Sequence, residues 1–177
     1  MGLWTEWQAA RERRRRVESY VGRMLREPDD AIVRLLEAGA GGVVARRELR
    51  FALLAIGLIV AERDALDDQT AADVSHQLQP LLAAEAKRDP EVGRLWPERW
   101  RAYSAALVRR GSPEAPAMRL ARVLLEGVGM AEPAPAQLES VTQFVLENRA
   151  ALNEALRAVF GAASLPEDVR PSALRSS

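Results

Sequence analysis

The chain carries one histidine, His76, and no cysteine. Ser75 precedes that histidine directly and Asp73 lies one turn earlier. A nucleophilic triad needs its hydroxyl and its base aimed at each other. On a helix, neighbouring residues diverge by about 100°, so Ser75 and His76 point apart. His76 also faces away from the apolar stripe of its segment and reads as a surface residue beside an aspartate. One histidine without cysteine is a poor start for a zinc or haem ligand set. The missing thiols also remove disulfides, iron–sulfur clusters and cysteine nucleophiles, and fit a reducing cytosol. No cofactor is implied.

Carboxylates are the next possibility. "RDALDDQTAAD" offers Asp64, Asp67 and Asp68, with Asp73 following. Clustered carboxylates suit magnesium or calcium, which prefer oxygen ligands, so a divalent-metal protein is one reading. The spacing lacks the glycine and the terminal glutamate of an EF-hand loop. The plainer reading is an acidic turn between helices, with Asp68 capping the helix that follows. The surrounding segment "LLAIGLIVAERDALDDQTAADV" resembles one repeat of tellurite-resistance B-type helical domains, in that an apolar helix runs into an acidic turn. It lacks the glycine that follows the aspartate there, and the chain has no second copy.

Neither "GAGG" at 39–42 nor "GVG" near 128 is followed by the Lys-Ser or Lys-Thr of a phosphate loop. Trp96, Trp100 and Tyr103 repeat at helical spacing, which suits a core stripe better than a site for a base or sugar.

The strongest charge feature is "RERRRR", Arg11, Arg13, Arg14, Arg15 and Arg16 around Glu12, just after Trp4 and Trp7. At helical spacing these arginines encircle the axis. A helix lying on a membrane would keep its cationic and apolar faces apart, so lipid is disfavoured. The stripe Leu3, Trp7, Ala10, Val17, Val21 and Met24 places Arg14 among apolar residues, so this turn cannot pack against an ordinary core. Either it projects, with Glu12–Arg16 and Arg14–Glu18 pairs worth a few tenths of a kcal/mol each, or it enters an anionic partner such as an RNA groove. Residues 1–26 hold seven arginines and three glutamates, a local excess of +4 in a chain whose 25 basic and 25 acidic residues cancel. Arg99 and Arg101 are candidate extensions of a nucleic-acid surface.

These residues need helices to position them, because apolar periodicity is helical from end to end. The pattern predicts an all-α, single-domain bundle of about six to seven helices over residues 1–160. An arginine-rich helix runs over about 5–27 and stops at Pro28, and a short helix over about 30–38 ends at "GAGG". A third helix over about 43–66 is apolar on nearly every face from Phe51 to Ala61 and belongs at the centre. The fourth covers about 70–87 with Pro80 inside it. The fifth opens on Pro97 and runs over 98–110. The sixth is capped by Ser112 with Pro113 in its first turn and reaches about Glu126. The last, about Pro135 to Phe160, repeats Leu138, Val145, Leu152 and Val159 every seven residues, which favours packing along a helix of this chain or of another copy. Residues 161–177 read as a loose tail.

The longest apolar run, Phe51–Ala61, is short of the roughly 20 residues of a membrane span. The N-terminus has no signal-peptide pattern. The expectation is a soluble cytoplasmic protein that is not an enzyme. It would act as an adaptor or assembly subunit, binding a protein partner or a second copy through helix surfaces. Nucleic-acid binding through the arginine-rich helix is the alternative.

Overall fold

The computed structural model describes residues 2–109 and 111–161. Among these it is all-α, with seven helices and no sheet: α1 (Gly2–Met24), α2 (Asp30–Ala40), α3 (Gly42–Asp64), α4 (Asp68–Arg88), α5 (Pro90–Val108), α6 (Pro116–Gly127) and α7 (Pro135–Phe160). The expected tail, from residue 162 onward, lies outside the described residues.

α3 is the axis of the bundle. Thirteen of its residues are buried, on all sides of the helix, because α2, α4, α5, α6, α7 and α1 all pack on it. Burying each large aliphatic or aromatic side chain of this helix is worth about 1.5–3 kcal/mol. α3 can begin one residue after α2 ends because Gly41 between them adopts φ 78°, a left-handed backbone that glycine enters without a Cβ clash. α7 lies along α3 and α6, with Val145 and Leu152 buried and Leu138 packed at the core's edge. Three of the four heptad positions are thus packed within the chain, and the fourth, Val159, is only partly buried.

Several boundaries differ from expectation. α5 opens at Pro90 and not Pro97, because Asp89 caps it by accepting from the Glu91 amide at 3.1 Å and Pro90 takes the first helical position. Pro97 then sits inside the helix on an exposed face, where water can reach the carbonyl it leaves unpaired. α6 starts at Pro116. Ser112 instead accepts from the Glu114 amide in the preceding loop, at 3.3 Å. That loop is held by Arg119, whose guanidinium donates to the carbonyls of Ala106 at 2.8 Å and Arg109 at 3.0 Å.

Candidate interaction site

α1 divides into two halves. Its second half supplies Val17, Tyr20, Val21 and Met24 to the core. The Tyr20 hydroxyl donates to the Gly57 carbonyl of α3 at 2.9 Å, and Met24 packs where a Cβ on Gly57 would stand. In the first half every described side chain from Trp4 to Glu12 is exposed.

The two halves meet at Arg13. The inward register runs Arg13, Val17, Tyr20 and Met24, so Arg13 occupies the position below Val17 and is half-buried. It reaches across to α4, pairing with Asp73 and, at 3.3 Å, with Asp67. Arg14, expected within the apolar stripe, is 76% exposed. The expected stripe borrowed Trp7 and Ala10, which lie in water, and omitted Tyr20, which fixes the true register.

The other arginines of the run are mostly engaged as well. Arg16 pairs with Glu12, and Arg14 approaches Glu18 at 3.5 Å, as the i,i+4 spacing anticipates. Arg11 lies 5.4 Å from the centre of the Trp7 ring, a cation–π contact worth about 0.5–1 kcal/mol at an exposed site. Trp7 in turn stacks on Trp4, centroids 5.5 Å apart and planes 23° from parallel. Trp4 is 65% and Trp7 52% exposed. Arg15 is the one arginine of the five with neither an acidic nor an aromatic partner among the described residues.

The aspartates are divided between two neighbours. Asp64 is buried, accepting from Arg63 at 2.9 Å and from Asn153 of α7 at 2.5 Å. Asp67, and not Asp68, caps α4, accepting from the Thr70 amide at 2.6 Å. Burial opposes ionisation of Asp67, but hydrogen bonds from Thr70 and Arg13 outweigh it and hold the carboxyl below its ordinary range. With Asp64 turned to α7 and Asp67 and Asp73 turned to α1, no three acidic or histidine side chains among the described residues converge on one point that could hold a metal. His76 is exposed.

Arg99 and Arg101 also part company. Arg99 turns inward and donates from Nε to both carboxylate oxygens of Glu48, at 2.9 and 2.8 Å. Glu48, on α3, is 1% exposed and also accepts from the Tyr103 hydroxyl. Burial and then the neighbouring Glu48 charge push the Tyr103 hydroxyl well above its usual range. Arg101 stays at the surface, donating to the Pro97 carbonyl of its own helix at 3.2 Å. This buried glutamate–arginine–tyrosine cluster was not anticipated. Its sequence signal is weak, because Glu48 stands among Arg46, Arg47 and Arg50 at the charged start of α3 and reads as one more surface charge.

The chain matches no family model, no curated protein and no solved structure. Its surfaces must therefore be read from their own chemistry. No helix among the described residues is long and apolar enough to cross a membrane. The surface that combines aromatic area, charge and exposure is the first half of α1.

Proposed function

We propose that the protein is a cytoplasmic adaptor or assembly subunit that docks a protein partner through the first half of α1. The observation that carries this reading is the stacked pair Trp4 and Trp7, more than half exposed, with Arg11 against the Trp7 ring. Tryptophan and arginine are the side chains most enriched where interfaces concentrate their binding energy. Stacking and the Arg11 contact hold the rings in place before binding, which lowers the entropy lost on association. The arm is anchored by Arg13 and by the core-bound second half, so the rings are presented on a fixed helix.

Capture on the tagged full chain at about 50 mM salt, with nuclease treatment, tests the proposal. The expected result is a defined protein retained after nuclease and lost from the Trp4→Ala/Trp7→Ala variant. Retention by that variant, or release by nuclease, overturns it. A second copy of the chain as the partner would show as a concentration-dependent dimer that the same variant abolishes.

Nucleic-acid binding is the second reading, favoured by the +4 excess over residues 1–26 and by indole faces on which bases can stack. Against it, Arg13, Arg14 and Arg16 already face carboxylates and Arg11 covers a Trp7 face.

A further inference from the structure

A second tryptophan pair lies elsewhere, beside a charge of the opposite sign. α3, α4 and α5 meet along a groove of about 390 Å3, within the size range of sites for small molecules, roughly 300–1,000 Å3. Leu58, Leu78 and Leu82 supply apolar surface, and Trp96 and Trp100 of α5 form a wall. The two indoles are 6.0 Å apart, and Trp96 leans on the buried ring of Phe51 at 5.4 Å. The wall is therefore fixed before anything binds. Ser75 and Gln79 add uncharged polar groups.

Glu62 is the sole charged residue of the lining. It stands one helical turn after Leu58 on α3, is exposed, and makes no ion pair or hydrogen bond among the described residues. The groove thus offers hydrocarbon, two indole rings and one uncompensated negative charge. Indole faces attract cations through their quadrupole, and a carboxylate beside them does so directly. A neutral apolar molecule would leave Glu62 unused, and an anion would be repelled by it.

We propose that this groove binds a small amphipathic amine, an apolar or aromatic body carrying a single positive charge. The body lies against Leu58, Leu78, Leu82 and the indoles, and the ammonium stands between Glu62 and a tryptophan face. The site is separate from the α1 arm, where Arg11 beside Trp7 would repel the same ligand.

The test uses two molecules of one skeleton, 2-phenylethylamine and 2-phenylethanol, titrated into the 15N-labelled full chain. The four indole N–H resonances are assigned by single Trp→Phe changes. The amine is expected to shift Trp96 and Trp100 saturably, leave Trp4 and Trp7 in place, and bind at least threefold more tightly than the alcohol. Glu62→Gln, an exposed and nearly isosteric change, should cut amine affinity roughly three- to fivefold, the scale of a solvent-exposed ion pair, and leave the alcohol unaffected. Equal affinity for amine and alcohol overturns the proposal, as does an unchanged amine affinity in Glu62→Gln. Shifts confined to Trp4 and Trp7, or no saturable shift at millimolar amine, also overturn it.

Discussion

α1 and α5 carry the same kinds of residue: two tryptophans about a turn apart with arginine close by in the sequence. In α1 they face water. In α5 the first tryptophan leans on Phe51 and Arg99 is drawn inward to Glu48. The difference lies on the facing helices. α5 packs beside α3 at the point where α3 presents a buried carboxylate, so an arginine there has a partner in the core. Among the described residues the first half of α1 meets Asp67 and Asp73 at the start of α4, and one arginine, Arg13, pairs with both. The fate of an arginine–tryptophan segment thus depends on where the opposing carboxylates stand: the α1 pair projects from the bundle, and the α5 pair lines a groove within it.

The largest effect should come from breaking the buried side of this comparison. Glu48→Ala leaves the Arg99 guanidinium and the Tyr103 hydroxyl without their acceptor in a largely dry setting. Removing one partner of a buried ion pair costs about 3–5 kcal/mol; because Arg99 retains some exposure, the lower end, about 3 kcal/mol, is expected. For a chain of this size that lowers the melting temperature by roughly 6–12 °C. Trp4→Ala/Trp7→Ala, measured in the same way, should cost no more than about 1 kcal/mol, the scale of the exposed Arg11–Trp7 contact it removes.

Alkaline titration probes the core without mutation. Burial first, and then the charges of Asp64 and Glu48 respectively, raise the hydroxyls of Tyr20 and Tyr103 above their usual range. An unfolded tyrosine ionises near pH 10, so above that pH the folded state binds more protons than the unfolded one. Stability must then fall as pH rises. Denaturant melts should weaken from about pH 10 upward, and Tyr103→Phe should reduce the slope.

On the exposed side, Arg13→Gln should cost under about 1 kcal/mol globally, because the pair is part-exposed. Its effect is local: amide exchange over residues 6–12 should accelerate while Val17 to Met24 stay protected. Acid should act in the same direction. The depressed Asp67 carboxyl favours the docked arm above the ordinary carboxylate range, near pH 4, and that contribution disappears as pH falls through and below it. Exchange that rises equally in both halves of α1 would break the division drawn between them. Smallest of all, Arg14→Gln or Arg16→Gln should change stability by only a few tenths of a kcal/mol.

Helices were legible in the sequence wherever a long apolar pattern met a clear stop. α3 was placed by its all-round apolar surface and α7 by its heptad and flanking proline and glycine. Prolines were read less well. Pro97 looks like a helix start, yet it lies at an exposed position inside α5, where solvent can reach the unpaired carbonyl, whereas Pro80 stands inside α4 as expected. Ser112–Pro113 looked like a helix start, but a second proline, Pro116, lay closer to the first buried residue, Ala117. The arginine run was located correctly and its register was not, since a one-residue shift exchanged Arg14 for Arg13. What periodicity cannot supply is pairing between distant segments. Arg13 with Asp73, Arg99 with Glu48, and Asn153 with Asp64 are separated by 51 to 89 positions in the chain.

Four of the five arginines in the 11–16 run are held by partners within the chain, which leaves the tryptophans to anchor a protein. Binding of a labelled single-stranded oligonucleotide across salt concentrations tests it most directly. The account predicts no measurable binding at about 50 mM salt, where phosphate contacts are strongest. A slope of roughly −2 to −3.5 in log affinity against log salt would mean three to five phosphates neutralised, at about −0.7 each. Such a slope, abolished by changing Arg11, Arg14, Arg15 and Arg16 to glutamine while helicity persists, would contradict the account and make α1 a nucleic-acid grip.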